Sequence, residues 1–300
     1  MITSISYSTD NGQTWETTNN TDNKESHLTI SVDVSEGDKV LWKGDAQQLG
    51  CYDYDDYDDA VGSFFSSDCA FNVQGNVMSM LYVDDFIGEN TLEYDYIFTN
   101  LFNDCDRVNE CLVTSAEHMI LPATTLTGYC YYYMFYGCTN LTTAPELPAT
   151  TLASSCYGYM FRGCTSLTTA PELPSTTLAV TCYFSMFNGC TSLTTAPELP
   201  ATTLTESCYN HMFEGCTSLT TAPELPATTL AKRCYQNMFQ GCTSLTSITC
   251  LATDISASDC TSNWVQNVAA SGTFTKAVSM TGWTRGDNGI PSGWSVQDAS

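Results

Sequence analysis

The chain has 300 residues, only 14% of them charged, and a formal net charge of −24. That much acid repels nucleic acid and anionic membrane surfaces, which excludes both as partners, and no apolar run approaches the ~18 residues of a membrane span. The excess is concentrated early, with 22 acidic and 4 basic side chains in residues 1–110.

The start, Met1-Ile2-Thr3-Ser4-Ile5, has neither a basic opening nor an apolar core of the kind a signal peptide needs. Residues 1–80 instead predict a small antiparallel β domain, sandwich-like. Ile5–Ser8, Leu28–Val34 and Lys39–Trp42 alternate with period two, and Asp10-Asn11-Gly12 marks a turn. Ser8-Thr9-Asp10-Asn11-Gly12-Gln13-Thr14-Trp15 fits the Asp-box pattern found in sialidases and other carbohydrate-active folds. It occurs once and reads first as a hairpin device, with a glycosidase remnant as the remote alternative. Glycosidases need paired acids or a tyrosine nucleophile in a pocket, and nothing in the sequence assembles one. The run Cys51–Asp59 carries Asp53, Asp55, Asp56, Asp58 and Asp59 but lacks the central glycine and final glutamate of a calcium loop, so it reads as a solvated acidic loop.

Residues 81–129 form a junction and N-terminal cap. Leu101–Val108 is a softened copy of a motif that dominates the rest of the chain, and Leu121–Leu126 rejoins its frame seven residues late. From residue 130 to 268 the same 26-residue unit opens at Cys130, Cys156, Cys182, Cys208 and Cys234, with a decayed copy at Cys260. One such unit cannot bury its own apolar face, so the copies must stack into a solenoid with a shared core. Within a copy, residues 154–162 predict a two-turn helix with Tyr157 and Phe161 on its flank and Gly163 at its C-terminal cap. Leu167–Leu173 and Thr176–Leu178 predict short extended pieces, kept short by Pro171 and Pro174. Residues 269–300 form a C-terminal cap.

Met160-Phe161-Arg162-Gly163-Cys164-Thr165-Ser166-Leu167-Thr168, followed by Leu173-Pro174 and Leu178, resembles the BspA-like leucine-rich repeat family over roughly residues 100–268. Family units are nearer about 23 residues and carry Ala-Phe where this chain has Met160-Phe161. The resemblance implies an α/β fold, a right-handed leucine-rich-repeat solenoid of 26-residue coils. It also implies an association with bacterial surface proteins and adhesion, in gut bacteria and their phages.

Twelve of the sixteen cysteines obey the repeat, in one column from Cys130 to Cys260 and another from Cys138 to Cys242 with Cys105 as an outlying member. They read as small buried hydrophobes with free thiols, although coil spacing of ~4.8 Å also permits disulfides between coils. The Cys-x7-Cys spacing does not suit zinc, and neither metal nor cofactor is expected. His27, His118 and His211 are isolated and no nucleophile has a base beside it, so the chain reads as no enzyme.

Comparison of the copies separates scaffold from surface. Tyr131, Tyr157, Tyr183, Tyr209 and Tyr235 never change, whereas the two residues after them and the residue before the glycine vary freely. Freely varying positions on a stacked scaffold are expected to face solvent. Tyr129, Tyr132, Tyr133, Tyr136, Tyr159, Arg162, Phe184 and His211 therefore make the candidate recognition strip, aromatic at its start. The partner expected is a protein or glycan on a cell surface, and the setting a cell surface or virion, with the cytoplasm as the alternative. A structural spacer in a larger assembly is the competing reading.

Overall fold

The computed structural model describes residues 4–19, 30–35, 37–45, 65, 67, 69–103 and 111–299. The acidic run at 53–59, Cys105, His27 and the first two residues of the expected strand 28–34 lie outside these. Residues 30–34 themselves are not in a strand.

Strands β1 (Ser4–Ser8), β2 (Glu16–Asn19) and β3 (Leu41–Gly44) form an antiparallel sheet in the order β2-β1-β3. The β1–β2 turn is closed by Asp10. Its carboxylate accepts hydrogen bonds from the Ser8 hydroxyl and from the amide and hydroxyl of Thr14, while the Trp15 indole donates to the Gly12 carbonyl. The bonds to its carboxylate, those of Thr14 first, favour the ionised form and hold the Asp10 carboxyl down to about 2. The Asp-box pattern is thus used up within its own hairpin. The sheet meets the rest of the chain through Trp42 against Phe65 and through the Lys43–Asp84 ion pair.

Strand β4 (Phe71–Asn76) and α1 (Ser79–Tyr82), a short helix and the only one among the described residues, follow, and β4 pairs in parallel with β5 (Val113–Ile120). From there a parallel ladder runs along the molecule as isolated bridges between equivalent threonines, such as Thr125–Thr151, Thr151–Thr177, Thr177–Thr203 and Thr169–Thr195. It ends in β6 (Ser247–Cys250), β7 (Thr273–Lys276) and β8 (Ser295–Asp298), parallel and in that order. The repeats therefore form a solenoid.

The predicted helix of each copy does not form. Ser155 and Tyr159 have φ of 53° and 56°, and Gly163 has 77°, so every fourth residue is left-handed. That geometry breaks an i→i−4 ladder. The amides alternate instead. Gly158, Met160 and Arg162 donate to the carbonyl three residues back. Tyr157, Tyr159, Phe161 and Gly163 donate to Cys182, Phe184, Met186 and Asn188 of the next coil at 2.8–3.0 Å. The segment is a chain of tight turns stitched to its neighbours, and its backbone groups are satisfied without a helix.

This geometry also corrects the flank positions. Tyr157 and Phe161 are core residues at 1% and 0% exposure. One ladder of rings runs Phe98, Tyr131, Tyr157, Tyr183, Tyr209, Tyr235 and Trp264, with centroids 5.7–6.2 Å apart. A second runs Phe102, Phe135, Phe161, Phe187, Phe213 and Phe239 at 5.0–5.8 Å. Trp264 ends both and is covered by Trp283 and Phe274 of the C-terminal segment. Met134, Met160, Met186, Met212 and Met238 are fully buried beside the ladders.

The cysteines lie in this core. In the second column, Cys164, Cys190, Cys216 and Cys242 each direct Sγ at the phenylalanine carbonyl of the preceding coil, at 3.0–3.1 Å. Burial pushes the Cys156 and Cys190 thiols up to about 12, so neither is a nucleophile at neutral pH. Cys138 departs from the free-thiol expectation, because it forms a disulfide with Cys111 just before β5. At the first coil the column meets a non-repeated segment that supplies a partner no later coil has.

Four outcomes are expected from this structure. Met186→Ala opens a cavity in the shared core and should cost ~2–5 kcal/mol. In Gly189→Ala the new methyl has room, 3.8 Å from Gly163 Cα, so only the left-handed φ penalty of ~1–2 kcal/mol should appear in a chemical melt. Under native, non-reducing conditions an alkylating reagent should label exposed Cys69 first and reach the buried column only after denaturation, with peptide mapping recovering Cys111 joined to Cys138. Asp10 has a folded pKa below its unfolded one, so its contribution to the hairpin is present above pH ~4 and is lost as pH falls through about 2. The Thr14 amide resonance should titrate with a midpoint near the lower value, and Asp10→Ala should abolish that titration.

Candidate binding surface

The left-handed residue in the middle of each turn segment decides where the variable side chains go. At this place stand Tyr133, Tyr159, Ser185, His211 and Asn237. The residues before them are Tyr132, Gly158, Phe184, Asn210 and Gln236, and three residues further on come Tyr136, Arg162, Asn188, Glu214 and Gln240. Coil-to-coil stitching sets these three columns side by side.

All eight residues named from the sequence fall on one continuous seam. Tyr129 touches Tyr132 edge-on at 5.3 Å, and Tyr132 meets Tyr133 at 4.4 Å and Tyr159 at 5.4 Å. Tyr133 stacks on Tyr159 at 4.6 Å and meets Tyr136 edge-on at 5.1 Å. Phe184 continues the line between Tyr159 and His211, 5.1 and 5.7 Å away. The Arg162 guanidinium lies over Tyr136 and Tyr159, 5.9 and 5.4 Å from their centroids, within cation–π range.

The expectation that varying positions simply face solvent needs correction. All eight are half-buried, because each packs against side chains of its own or a neighbouring coil. Gly158, Ser185 and Asn210 vary yet are buried. At Gly158 the cause is direct, since a Cβ there would sit 2.7 Å from the Tyr132 ring. His211, expected to be exposed and isolated, is half-buried with Nδ1 against Glu214 Oε2 and Nε2 3.0 Å from the Asn237 amide. The His211 bond is the first cause holding the Glu214 carboxyl below its ordinary range, and the Asn188 amide adds to it at 2.6 Å.

Sequence reasoning missed Tyr96, which stacks on Tyr129 at 4.6 Å and extends the seam into the entry coil. The signal was available. Phe102 stacks on Phe135 with an offset of 33 residues, and the same offset carries Tyr96 to Tyr129. Asn188 and Glu214 were also passed over, as ordinary variable positions. The seam thus grades from tyrosines at the entry end, through Phe184 and His211, to amides such as Gln240, which donates to Gln266 at 2.7 Å.

Other features of the chain do not join it. Glu146, Glu172, Glu198 and Glu224 form an exposed column in the extended part of the coil. Pro145 and Pro197 are buried, so the Pro-x-x-Pro spacing is not presented as a ligand. His118 sits in β5 opposite Gln74. Among the described residues no three His, Cys, Asp or Glu side chains are placed to hold a metal ion, and no helix is long and apolar enough to cross a membrane.

No curated protein and no solved structure matches the chain. A family match does exist. The BspA type leucine rich repeat region matches in six copies over residues 93–211 and 155–276, more than half of the chain. The entry coil lies inside the matched span, in agreement with the stacking of Phe98 and Phe102 on the first full copy. With stacked coils, invariant core columns and family match in accord, the chain belongs to the BspA-type leucine-rich repeat family.

Proposed function

We propose that this chain is a non-enzymatic binding protein, a right-handed solenoid of 26-residue coils whose aromatic seam recognises a protein or glycan on a cell surface. The observation that carries this reading is the seam itself. A scaffold that needs only to stack has no use for tyrosines at positions where Ser185 and Asn237 satisfy the same backbone. Half-buried tyrosines held by their neighbours offer large, pre-ordered contact area at low entropy cost. Repeat families of this type are associated with surface recognition, and adhesion on a bacterial surface or a phage particle is the setting proposed.

The test is a variant carrying Tyr132→Ala, Tyr133→Ala and Tyr136→Ala, measured by thermal melting beside binding to cells of candidate hosts. Anchoring aromatics cost ~2 kcal/mol or more at an interface, so cell binding should fall at least about 30-fold. The loss of ring contacts at the rim should cost far less stability than Met160→Ala in the core. Unchanged binding by a folded triple variant would overturn the seam as the site and favour a spacer within a larger assembly.

A further inference from the structure

Arg162 stands out on this surface for its electrostatics. On a chain of net charge −24, four of the seven described Lys and Arg side chains are neutralised by carboxylates. Lys43, Lys232, Arg233 and Lys276 are in ion pairs. Arg285 donates to the carbonyls of Pro291 and Trp294. Arg162 is in no ion pair among the described residues. It rests over the rings of Tyr136 and Tyr159, with Tyr133 stacked behind the latter. Its charge supplies the smallest part of what holds the Glu214 carboxyl down, two coils away. Glu214 Oε2 is already held by His211 and Asn188.

We infer that Arg162 and the tyrosines around it form a subsite for a single carboxylated sugar ring. This rests on the reading of the seam as a binding surface and names the ligand class of one part of it. Ring stacking pre-orients the guanidinium and leaves its N–H edge for a planar oxyanion, which it meets with two parallel hydrogen bonds. Tyr133, Tyr136 and Tyr159 are only half-buried, and their exposed ring edges give a pyranose an apolar wall beside the guanidinium. Charge decides against an acidic peptide. Such a peptide brings several carboxylates towards a chain of net charge −24, and like charges repel. A uronic or sialic acid residue brings one, and that one falls on the cation.

The experiment uses the whole chain and four probes: galacturonic acid, its neutral methyl ester, galactose, and a tetraglutamate peptide. Binding is followed by ligand-observed NMR and titration on the wild type, Arg162→Gln, Arg162→Lys and the triple tyrosine variant, each checked by thermal melting. Galacturonic acid should bind at least about 10-fold more tightly than its ester and galactose, the range expected for a charge-assisted hydrogen bond. Arg162→Gln should erase that preference at an unchanged melting temperature, and Arg162→Lys should restore it in part. Equal binding of acid, ester and galactose would overturn the role of Arg162. Tighter binding of tetraglutamate, lost in Arg162→Gln, would replace the sugar with a peptide carboxylate. No binding of any sugar would overturn the inference. In that case the cell-binding result for the triple tyrosine variant still shows independently whether the seam itself is a binding surface.

Discussion

The structure depends on one constraint, the alternation of backbone hydrogen bonds between a coil and the next. Half of the amides in each turn segment are satisfied locally and half by the following coil. This requires left-handed residues at fixed intervals, at a cost of ~1–2 kcal/mol for each one that is not glycine. The cost is met because neither half of the bonding pattern survives alone. A single coil would leave its outward amides unpaired, and a true helix would leave nothing to bind its neighbour. Cooperativity between coils follows from this, as expected of a solenoid with nearest-neighbour stabilisation.

The same stitching fixes the side chains. Equivalent residues are held at the coil repeat, so identical rings stack with nearly parallel planes, within 2–5° through the centre of both ladders. A tyrosine in one coil is then the best neighbour for a tyrosine in the next, which accounts for the lack of variation in the Tyr157 column. The cysteines fit the same logic. A thiol is small enough for the narrow gap beside the phenylalanine ladder. It also donates weakly to a carbonyl there, as Cys164 does to Phe135. At Cys138 the neighbour is a segment outside the repeat, and a covalent bond to Cys111 replaces that contact.

Function on such a scaffold is confined to what the stitching leaves open. The three variable columns lie in the turn segment, where most side chains are half-buried against the adjacent coil. Aromatic residues placed there make a seam without disturbing the core. A polar residue must find a partner one coil along, as Asn210 does with Gln236 and Asn188 with Glu214. The seam grades from rings to amides because each of these columns can change identity from coil to coil, within what its neighbours accept.

The sequence by itself determined the stacking, the extent of the repeat, the invariant columns and the three variable columns that make most of the seam, because a period of 26 residues forces equivalent positions into register. It also announced the Asp10 hairpin, whose bonds are all local. Only the tertiary structure decided what the turn segment is. The i,i+4 spacing of Tyr157 and Phe161 satisfies a helix as well as it satisfies turns with a left-handed residue every fourth position, and the choice rests on hydrogen bonds to a coil 25 residues away that no local pattern encodes. Likewise the pairing of Cys111 with Cys138, the reach of the seam to Tyr96 and the placement of Arg162 between two rings arise from contacts between coils. A side chain's neighbours in a solenoid are set by the stack, and the linear sequence supplies only its address within it.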